Sequence, residues 1–367
     1  MPTAADLDHM RTALALARRG LGTTWPNPSV GCVIVNNGRV VGRATTAPGG
    51  RPHAEPQALA MAGEAARGAT AYVTLEPCCH WGKSPPCTDA LIAAGIARVV
   101  TGTPDPDPRV DSRGLAQLRA AGITVETGVM EQEALDSLAG FITRIRFGRP
   151  LVTLKLATTL DGRIATRAGE SQWITGPQAR RMAHALRGRH DAVMAGAGTA
   201  VADDPELTCR IPGFRPSPVV RVIADSHLRT PLTARLLRTA REAPSWFLMR
   251  EDADRNRQRA YTEAGATLLP VPPGPLGLDI AAAMQALGKA GLTRVLVEGG
   301  GQLAAALMRA DLVDRIAWFH APAVMGGDGW PGVQAFGVEK LAIMPRFVRT
   351  RITPLGDDLL SEFTRRG

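Results

Sequence analysis

The sequence is poor in aromatic residues and in lysine, and it contains no long hydrophobic run. Aromatic side chains make up 4% of the 367 residues, and only four of the 43 basic residues are lysines. The longest apolar stretches, such as 192–202 and 303–308, fall well short of the roughly 18 residues that a membrane-spanning helix needs. We therefore expect no membrane anchor, and the polar N-terminus predicts no signal peptide.

The net charge of +9 comes from arginines that are spread along the chain. A nucleic-acid surface would cluster its basic residues on one face and usually add aromatic side chains for stacking, so this pattern argues against a nucleic-acid partner. The positive charge instead suits a small phosphorylated substrate. With 45% apolar and 21% charged residues, the composition is that of a globular protein, and the length predicts about two domains.

Cysteine is scarce, but three of the five cysteines are crowded together. Cys78, Cys79 and Cys87 fall within ten residues, while Cys32 and Cys209 lie elsewhere. An odd number of cysteines with this crowding argues for a reducing compartment and a metal site, and against a disulfide framework. We therefore expect a cytoplasmic protein.

The apolar pattern alternates between helical and strand periods along the chain, which predicts an α/β fold. The segment Gly148-Arg149-Pro150 follows a predicted long helix and precedes a new strand. Glycine and proline often mark such boundaries, so we divide the chain into a first domain over residues 1–147 and a second over residues 151–367.

Three local features of the pattern are specific enough to compare with a structure. Asn36-Asn37-Gly38 predicts a tight hairpin, because an Asn-Gly pair can adopt the positive φ values of the turn. A helical stretch is predicted over residues 53–67. Between Gly196 and Pro218 the pattern indicates a glycine turn followed by a loop-rich segment.

His53-Ala54-Glu55 opens a predicted helix, and Cys78 and Cys87 follow a predicted strand, each next to proline. A histidine and two thiolates form a good zinc set that leaves one position for water. In zinc-dependent base deaminases, an H-x-E segment supplies one ligand and the proton-shuttling glutamate, and a P-C…C segment supplies two ligands. The pattern therefore predicts His53, Cys78 and Cys87 as zinc ligands and Glu55 as the catalytic acid and base.

A second pattern lies near the C-terminus, where a buried strand over 294–298 runs through Gly299-Gly300-Gly301 into a helix. Glycines let a phosphate approach the backbone, and the free amides at a helix start attract it. A similar turn, Gly196-Ala197-Gly198-Thr199, follows another strand. Two such turns at the carboxyl ends of strands suit a cofactor that lies across a sheet edge.

These motifs resemble one enzyme family over essentially the whole chain. The segments 27–31, 53–55 and 74–87 resemble the deaminase domain of the bifunctional deaminase–reductase family of riboflavin biosynthesis, including its long Pro-Pro-Cys loop. The segments 155–163, 169–175, 202–210 and 297–300 resemble the reductase half of that family. The resemblance implies an N-terminal cytidine-deaminase-like three-layer α/β/α domain and a C-terminal dihydrofolate-reductase-like α/β domain.

The resemblance also implies the chemistry and the cofactors. The first domain would use one Zn²⁺ to deaminate 2,5-diamino-6-(5-phosphoribosylamino)pyrimidin-4-one. The second would use NADPH to reduce the ribosyl group of 5-amino-6-(5-phosphoribosylamino)uracil to ribityl. Hydride transfer is the cofactor's own chemistry, so the protein would supply orientation and charge. We also expect a homo-oligomer.

Further site residues follow from positions within the family's motifs. The deaminase substrate would be bound by Asn27, His80 and Lys83. NADPH would be bound by Ala157, Trp173, Thr199, Asp203, Ser226, Gly300, Gly301, Gln302 and Leu303. The reductase substrate would be bound by Ser171, Arg187, Leu207, Arg210 and Glu298, with the two arginines suited to forked bonds with a phosphate.

The sequence does not decide the roles of several residues. Cys79 stands where the family usually has serine, and Thr46 stands where many members carry histidine, so we leave both outside the site. Lys155 and Asp161 are either catalytic or structural. Trp173 has an alternative interpretation as a core residue, because aromatic side chains are more often buried than stacked on cofactors.

Two other functions compete with the bifunctional enzyme. A nucleic-acid deaminase of the tRNA adenosine type shares the His-Ala-Glu segment, but it lacks the long Pro-Pro-Cys loop and leaves the second half of the chain unexplained. A non-catalytic, zinc-stabilised regulator that binds a nucleotide would need zinc but not Glu55.

Overall fold

The computed structural model describes residues 2–275 and 277–366, and it divides into two compact units, Met1–Gly148 and Arg149–Gly367. In the described parts of the chain, no helix is both long and apolar enough to cross a membrane.

The first unit is a five-stranded sheet between two layers of helices. Its helices are α1 (Ala4–Arg19), α2 (Ala54–Ala62), α3 (Cys87–Ala93), α4 (Arg113–Ala120) and α5 (Glu131–Phe147). Its strands are β1 (Gly31–Asn36), β2 (Arg39–Thr45), β3 (Thr70–Val73), β4 (Arg98–Thr101) and β5 (Thr124–Glu126). The strand order is β2-β1-β3-β4-β5, with β1 antiparallel to both neighbours and β3, β4 and β5 parallel. The structure confirms the predicted three-layer α/β/α arrangement.

The first two strands form the predicted hairpin, and two glycines let helices approach it closely. Asn37 and Gly38 have φ values of 48° and 74°, which are the positive values that the tight turn requires. A Cβ on Gly31 would lie 1.9 Å from the carbonyl oxygen of Ala13 in α1. A Cβ on Gly42 would lie 2.1 Å from the carbonyl oxygen of Ala58 in α2. Any larger residue at either position would therefore push a helix off the hairpin.

The second unit is built on a nine-stranded sheet. Its strands are β6 (Leu151–Thr158), β7 (Arg163–Ala165), β8 (Ala192–Gly196), β9 (Val220–Ala224), β10 (Ser245–Arg250), β11 (Thr267–Val271), β12 (Arg294–Glu298), β13 (Arg315–His320), β14 (Trp330–Pro331), β15 (Phe347–Leu355) and β16 (Asp358–Arg365). Its helices are α6 (Pro177–Gly188), α7 (Ala197–Asp203), α8 (Arg235–Arg238), α9 (Arg255–Glu263), α10 (Ile280–Lys289) and α11 (Gly301–Arg309). The order in the large sheet is β11-β10-β9-β8-β12-β6-β13-β16-β15, and β7 pairs with β14 separately.

Seven neighbouring strands of the large sheet, from β11 to β13, run parallel, and the C-terminal strands β16 and β15 add an antiparallel edge. The middle strand β8 is apolar throughout, and β12 is apolar over residues 295–297 and buried along its whole length, as expected for strands covered on both faces. Parallel strands end at the same sheet edge, so the segments that follow β6, β8, β9 and β12 lie near one another.

Some local predictions were wrong. The helix that follows His53 ends at Ala62 and not at Arg67, because Gly63 turns the chain with φ 54° and ψ −137° into a short 3₁₀ segment. The stretch after β8 is not simply a glycine turn and loop, because α7 begins at Ala197 and uses Gly196 as its N-cap. No element is predicted from the sequence beyond residue 320, where the structure has the hairpin of β15 and β16.

The buried carboxylate of Asp6 connects the start of α1 with strands β3 and β4. Asp6 is 2% exposed and accepts hydrogen bonds from the backbone and hydroxyl of Thr3 at the start of α1. It also accepts from the Tyr72 hydroxyl on β3, at 2.8 Å, and from the Arg98 guanidinium on β4, at 2.7 and 3.1 Å. The Arg98 guanidinium holds the pKa of Asp6 well below its usual range. The charged form of Asp6 therefore stabilises the fold.

Replacing Asp6 by asparagine is expected to lower the free energy of unfolding of the first unit by about 2–4 kcal/mol at pH 7, because Arg98 loses its buried partner. A depressed pKa contributes stability above the unfolded-state pKa of about 3.9, and this contribution is lost as the pH falls. The difference in the free energy of unfolding between Asp6→Asn and the unaltered chain should therefore be largest at pH 7 and should shrink below about pH 4. Calorimetry of the full chain across this range measures it.

Asp8→Asn is the matched control, because Asp8 lies on the same helix and pairs with Arg11 at the exposed surface. Its effect should stay below about 0.5 kcal/mol at every pH. Equal effects of the two variants, or a deficit of Asp6→Asn that does not change with pH, would contradict the stabilising role of the Asp6 charge.

Candidate active sites

Three potential metal ligands of the first unit converge at one point. His53 is the N-cap of α2, Cys87 is the first residue of α3, and Cys78 lies on the turn that follows β3. Nδ1 of His53 lies 3.6 Å from Sγ of Cys78 and 3.4 Å from Sγ of Cys87. The backbone amide of Cys87 points at the Cys78 sulfur, 3.4 Å away. Two helix starts and one strand end therefore present the ligand atoms.

The spacing of these atoms fits zinc. With Zn–N near 2.0–2.1 Å and Zn–S near 2.3 Å, a tetrahedral site separates a nitrogen and a sulfur ligand by about 3.5 Å. The measured separations agree with that value, and all ligand atoms of the three residues lie within 4.8 Å of one another. Hydrogen bonding with Cys87 lowers the pKa of Cys78 to about 4, which favours the thiolate that binds metal.

Glu55 lies in the first turn of α2, beside this cluster. Its side chain is 3% exposed, and among the residues that the structure describes its Oε2 atom has no hydrogen-bond partner. Burial raises the pKa of Glu55 to about 7, with a further contribution from Cys78. A buried oxygen without a partner, next to three metal ligands, is placed to exchange a proton with a water or substrate at the metal.

The other residues predicted for the deaminase site lie around this centre. Nδ2 of Asn27 lies 3.4 Å from Nε2 of His53 and donates to the carbonyl of Gly50 at 2.8 Å. Among the described residues, Nδ1 of His80 is buried without a partner, whereas Lys83 is exposed on the loop before α3. The structure thus brings Asn27 to the metal ligands and leaves Lys83 on the surface loop.

The two departures from the family pattern have structural explanations. Thr46 is buried, and its hydroxyl accepts a hydrogen bond from the backbone amide of Val30 at 3.0 Å. The Cys79 sulfur points away from the ligand group and lies 3.8 Å from the carbonyl oxygen of Arg109. Both side chains therefore contact backbone groups, which agrees with leaving them outside the site.

In the second unit, the residues predicted to bind the cofactor lie at the carboxyl edge of four adjacent strands. Ala157 is near the end of β6, Thr199 is in the first turn after β8, Ser226 follows β9 and Gly300 follows β12. Asp203 ends α7 and is exposed. Gly301 begins α11, where Gln302 is exposed and Leu303 is buried.

The turn between β12 and α11 fits a phosphate group. Gly299 and Gly300 have φ values of 72° and 79°, which residues with a Cβ rarely adopt. A Cβ on Gly299 would lie 3.3 Å from the Thr199 side chain, so the two predicted glycine turns are neighbours. The unpaired amides of the helix start are a suitable binding site for a phosphate of a dinucleotide.

A buried ion pair stands beside this turn. Arg187 on α6 donates through Nε and NH2 to the two oxygens of Glu298, at 2.6 and 2.8 Å. Burial acts to raise the pKa of Glu298, but Arg187 and the nearby Lys155 lower it to about 2. Burial also lowers the pKa of Lys155, which lies opposite Glu298 on the adjacent strand. Glu298 is therefore a fixed negative charge between two cations.

Basic side chains of α6 line a cavity of about 410 Å³, together with Arg210. Arg180, Arg181 and His184 are among its lining residues, and the ring of His184 lies 3.4 Å from the Arg210 guanidinium. None of these three residues was predicted from the sequence. For Arg180 and His184 the available signal is helical spacing, because residues 180, 184 and 187 lie on one face of α6.

The remaining predicted residues of the reductase site differ in exposure. Trp173 is 66% exposed, so the alternative that it belongs to the core is wrong. The Arg180 guanidinium lies over its ring at 4.7 Å. Ser171 is half-buried near Trp173 in sequence, whereas Leu207 is buried with a φ of 51°.

Asp161, whose role the sequence does not decide, holds the loop that contains Met325 and Gly326. Its carboxylate accepts from the backbone amides of Met325, at 3.1 Å, and Gly326, at 2.7 Å, and from the Thr159 hydroxyl at 2.6 Å. The Thr159 hydroxyl and these amides lower the pKa of Asp161 to about 2. These contacts make Asp161 a structural residue.

Comparison with known proteins agrees with this geometry. Residues 3–103 match the family model of the cytidine and deoxycytidylate deaminase zinc-binding region, and residues 150–361 match the RibD C-terminal domain. The riboflavin biosynthesis protein RibD of Escherichia coli is 44% identical over 365 residues, which cover 96% of this chain and 98% of that protein. Its counterpart in Aquifex aeolicus is 40% identical, covering 98% of each chain.

Solved structures give the same result for the fold. RibD of Acinetobacter baumannii is 36% identical, with a TM-score of 0.88 and 99% of each chain covered. A Thermotoga maritima protein described as a diaminohydroxyphosphoribosylaminopyrimidine deaminase and 5-amino-6-(5-phosphoribosylamino)uracil reductase is 33% identical, with a TM-score of 0.86 and the same coverage.

Fold, sites and comparisons define a two-domain enzyme that joins a zinc-binding deaminase to a reductase. The chain belongs to the RibD family of riboflavin biosynthesis proteins. The predicted family and the predicted α/β fold are confirmed. Zn²⁺ is consistent with the deaminase domain and NADPH with the reductase domain. Because the relatives align along both halves of the chain, a nucleic-acid deaminase is not favoured.

Replacing Cys87 by serine is expected to reduce bound zinc from about one atom per chain to a small fraction of that, because a neutral hydroxyl replaces a thiolate ligand. Elemental analysis of the purified full chain measures the zinc content. Cys79→Ser is the matched control and should keep its zinc. Equal zinc contents in the two variants would show that Cys87 is not a ligand.

Proposed function

We propose that this chain catalyses two consecutive steps of riboflavin biosynthesis. The first unit deaminates 2,5-diamino-6-(5-phosphoribosylamino)pyrimidin-4-one by hydrolysis, and the second reduces the ribosyl group of the product, 5-amino-6-(5-phosphoribosylamino)uracil, to ribityl. The observation that carries the proposal is that His53, Cys78 and Cys87 converge beside Glu55, whose Oε2 has no hydrogen-bond partner in the described parts of the chain. The other half of the chain matches a reductase domain.

In the deaminase site, His53, Cys78 and Cys87 would hold zinc, which acts as a Lewis acid and lowers the pKa of a coordinated water. Glu55 would take one proton from the attacking water at Oε2 and give it to the ring nitrogen. It would then take the second proton of that water and give it to the departing amino group, which leaves as ammonia. A pKa of about 7 suits a group that both accepts and donates at neutral pH. Asn27, beside His53, hydrogen-bonds the edge of the pyrimidine.

The pyrimidine must also carry its phosphate into this site. His80 and Lys83 lie on the loop between Cys78 and Cys87, so the segment that supplies two of the proposed zinc ligands also carries both of these side chains. We assign them to the substrate phosphate. The exposure of Lys83 agrees with a role at the mouth of the site, where its charge attracts an anion from solution.

In the reductase site, NADPH supplies the hydride, and the protein supplies position and charge. Ala157, Thr199, Ser226 and the turn at Gly300 would hold the cofactor along the sheet edge, with Trp173, Asp203, Gly301, Gln302 and Leu303 around it. Glu298 hydrogen-bonds the sugar hydroxyls. Its charge is secured by Arg187 and Lys155, so it accepts hydrogen bonds over the whole physiological pH range.

The cation-lined cavity next to α6 is the proposed place of the substrate phosphate in the reductase. Arg210 lines this cavity, and Arg187 lies on the same helix face as the lining residues Arg180 and His184. Several guanidinium groups can form forked hydrogen bonds with one phosphate. Ser171 and Leu207 complete the proposed substrate site.

We further propose a cytoplasmic protein that binds these small molecules without a nucleic-acid partner. The odd number of cysteines and the zinc thiolates support a reducing compartment. The basic residues that the sites use are dispersed over both units, which supports a small anionic substrate over an extended polyanion.

Separate variants are expected to abolish the two activities one at a time. Glu55→Gln should lower the turnover of deamination by at least about a hundredfold, because an amide cannot move the proton, while zinc content and reduction of added uracil intermediate persist. Glu298→Gln should leave deamination intact and lower reduction by about tenfold to a hundredfold, because a charged acceptor is lost. Ammonia release and NADPH oxidation measure the two reactions. If Glu55→Gln releases ammonia as fast as the unaltered chain, Glu55 does not carry the proton. If the unaltered chain binds zinc but releases no ammonia, the chain is a zinc-stabilised binding protein instead.

We also propose that the chain forms a homo-oligomer through the C-terminal hairpin. Ile352 of β15 and Leu359 of β16 lie on the same face of the hairpin and are 48% and 44% exposed, which supports an apolar contact surface there. Sedimentation equilibrium should give a mass above that of one chain, and Ile352→Glu should lower it. Val40→Glu, at a similarly exposed position in the first unit, should not. A monomeric mass for the unaltered chain would refute the oligomer.

A further inference from the structure

Glu76 is a buried carboxylate that the proposed reactions do not use. It lies two residues before Cys78, and it is 2% exposed. Its Oε2 accepts hydrogen bonds from the backbone amides of Asp105 and Ser112, both at 3.1 Å, and its Oε1 accepts from the amide of Leu115 at 3.2 Å. All three donors belong to the segment between β4 and the first turn of α4. One side chain thus connects the turn that carries Cys78 to a distant segment of the chain.

Two of these donors are amides of the first turn of α4, which have no partner within the helix. Ser112 is the N-cap of α4, with a φ of 67°, and its own side chain makes no capping hydrogen bond. Glu76 therefore caps this helix from another part of the chain, and its negative charge is favourable at the helix start. The same carboxylate therefore holds both the start of α4 and the turn that carries Cys78.

The contact between α4 and the Cys78 turn is too close to allow a shift. A Cβ on Gly114 would lie 2.3 Å from the carbonyl oxygen of Pro77 and 3.1 Å from Oε1 of Glu76. On the other side, the carbonyl of Cys78 accepts from the backbone amide of Thr88 at 3.2 Å, and Thr88 donates to Gln117 of α4 at 3.0 Å. The turn is therefore clamped between the starts of α3 and α4.

We propose that Glu76 is a positioning residue of the deaminase metal site, which fixes the Cys78 sulfur at its ligand position by locking the Pro77-Cys78 turn to α4. This inference rests on the proposed zinc site. With the turn locked, the sulfur keeps its distance from Nδ1 of His53 without help from the ion, and zinc leaves slowly. Residues that orient metal ligands in this way typically change metal affinity or activity by about 10- to 100-fold when replaced.

Glu76→Gln in the full chain tests the proposal, because glutamine keeps the size but turns one acceptor oxygen into a donor that faces backbone N–H groups. We expect zinc to pass to a chromogenic chelator at least about tenfold faster than from the unaltered chain. The thiolate-to-metal absorption bands of the cobalt-substituted protein should shift. The turnover of deamination should fall with little change in KM, and NADPH-dependent reduction should remain.

Two control variants separate positioning from simple stability. Glu64→Gln replaces an exposed glutamate of the same unit and should match the unaltered chain in every measurement. Asp6→Asn destabilises the same unit away from the metal turn, so it should lower the unfolding temperature without changing cobalt absorption or zinc release. If Glu76→Gln behaves like Asp6→Asn, the positioning role is refuted.

Glu76→Asp provides a second variant if glutamine prevents folding. Aspartate keeps the charge on a shorter side chain that holds the turn less firmly, so zinc should be released faster than from the unaltered chain. Release at the unaltered rate would overturn the proposal. If the unaltered chain itself holds no zinc, the proposed deaminase function fails first, and the role of Glu76 fails with it.

Discussion

The deaminase half depends on one constraint, which is that two helix starts and one strand end must meet within the size of a single zinc coordination shell. His53 caps α2, Cys87 begins α3 and Cys78 follows β3, and Nδ1 of His53 lies 3.4 Å from the Cys87 sulfur and 3.6 Å from the Cys78 sulfur. The three-layer fold makes this possible because its helices begin at the edge where the parallel strands end. The glycines at positions 31 and 42 then let the helices approach the sheet closely.

The reductase half uses the same geometric principle with different chemistry. Four parallel strands end at one edge, and the turns after them present backbone amides at Gly300 and side chains at Thr199 and Ser226. Beside this edge, opposite charges are buried together, with Glu298 between Arg187 and Lys155. Burying one of these charges alone would be costly, so the pairing lets a charged acceptor persist next to an apolar sheet.

Much of this arrangement could be predicted from the sequence. The hairpin at Asn37-Gly38, the strand before Cys78 and the helix start at His53 each have strong local signals, and the His/Cys/Cys motif identifies its own chemistry. Features that depend on distant contacts could not be predicted. Glu76 caps a helix that begins about 40 residues later, and α7 begins within a glycine-rich segment that locally indicates a turn. The pairing of Arg187 with Glu298 joins residues 111 positions apart and leaves no local pattern.

Mass spectrometry of the products formed from the diaminopyrimidinone ribosylamino phosphate, with and without NADPH, follows both reactions in one experiment. Without NADPH we expect a product in which one amino group is replaced by oxygen, and with NADPH a product that is both deaminated and reduced by two hydrogens. A substrate that returns unchanged from zinc-loaded protein would contradict the deaminase assignment. Deamination without any reduced product would contradict the assignment of the second unit.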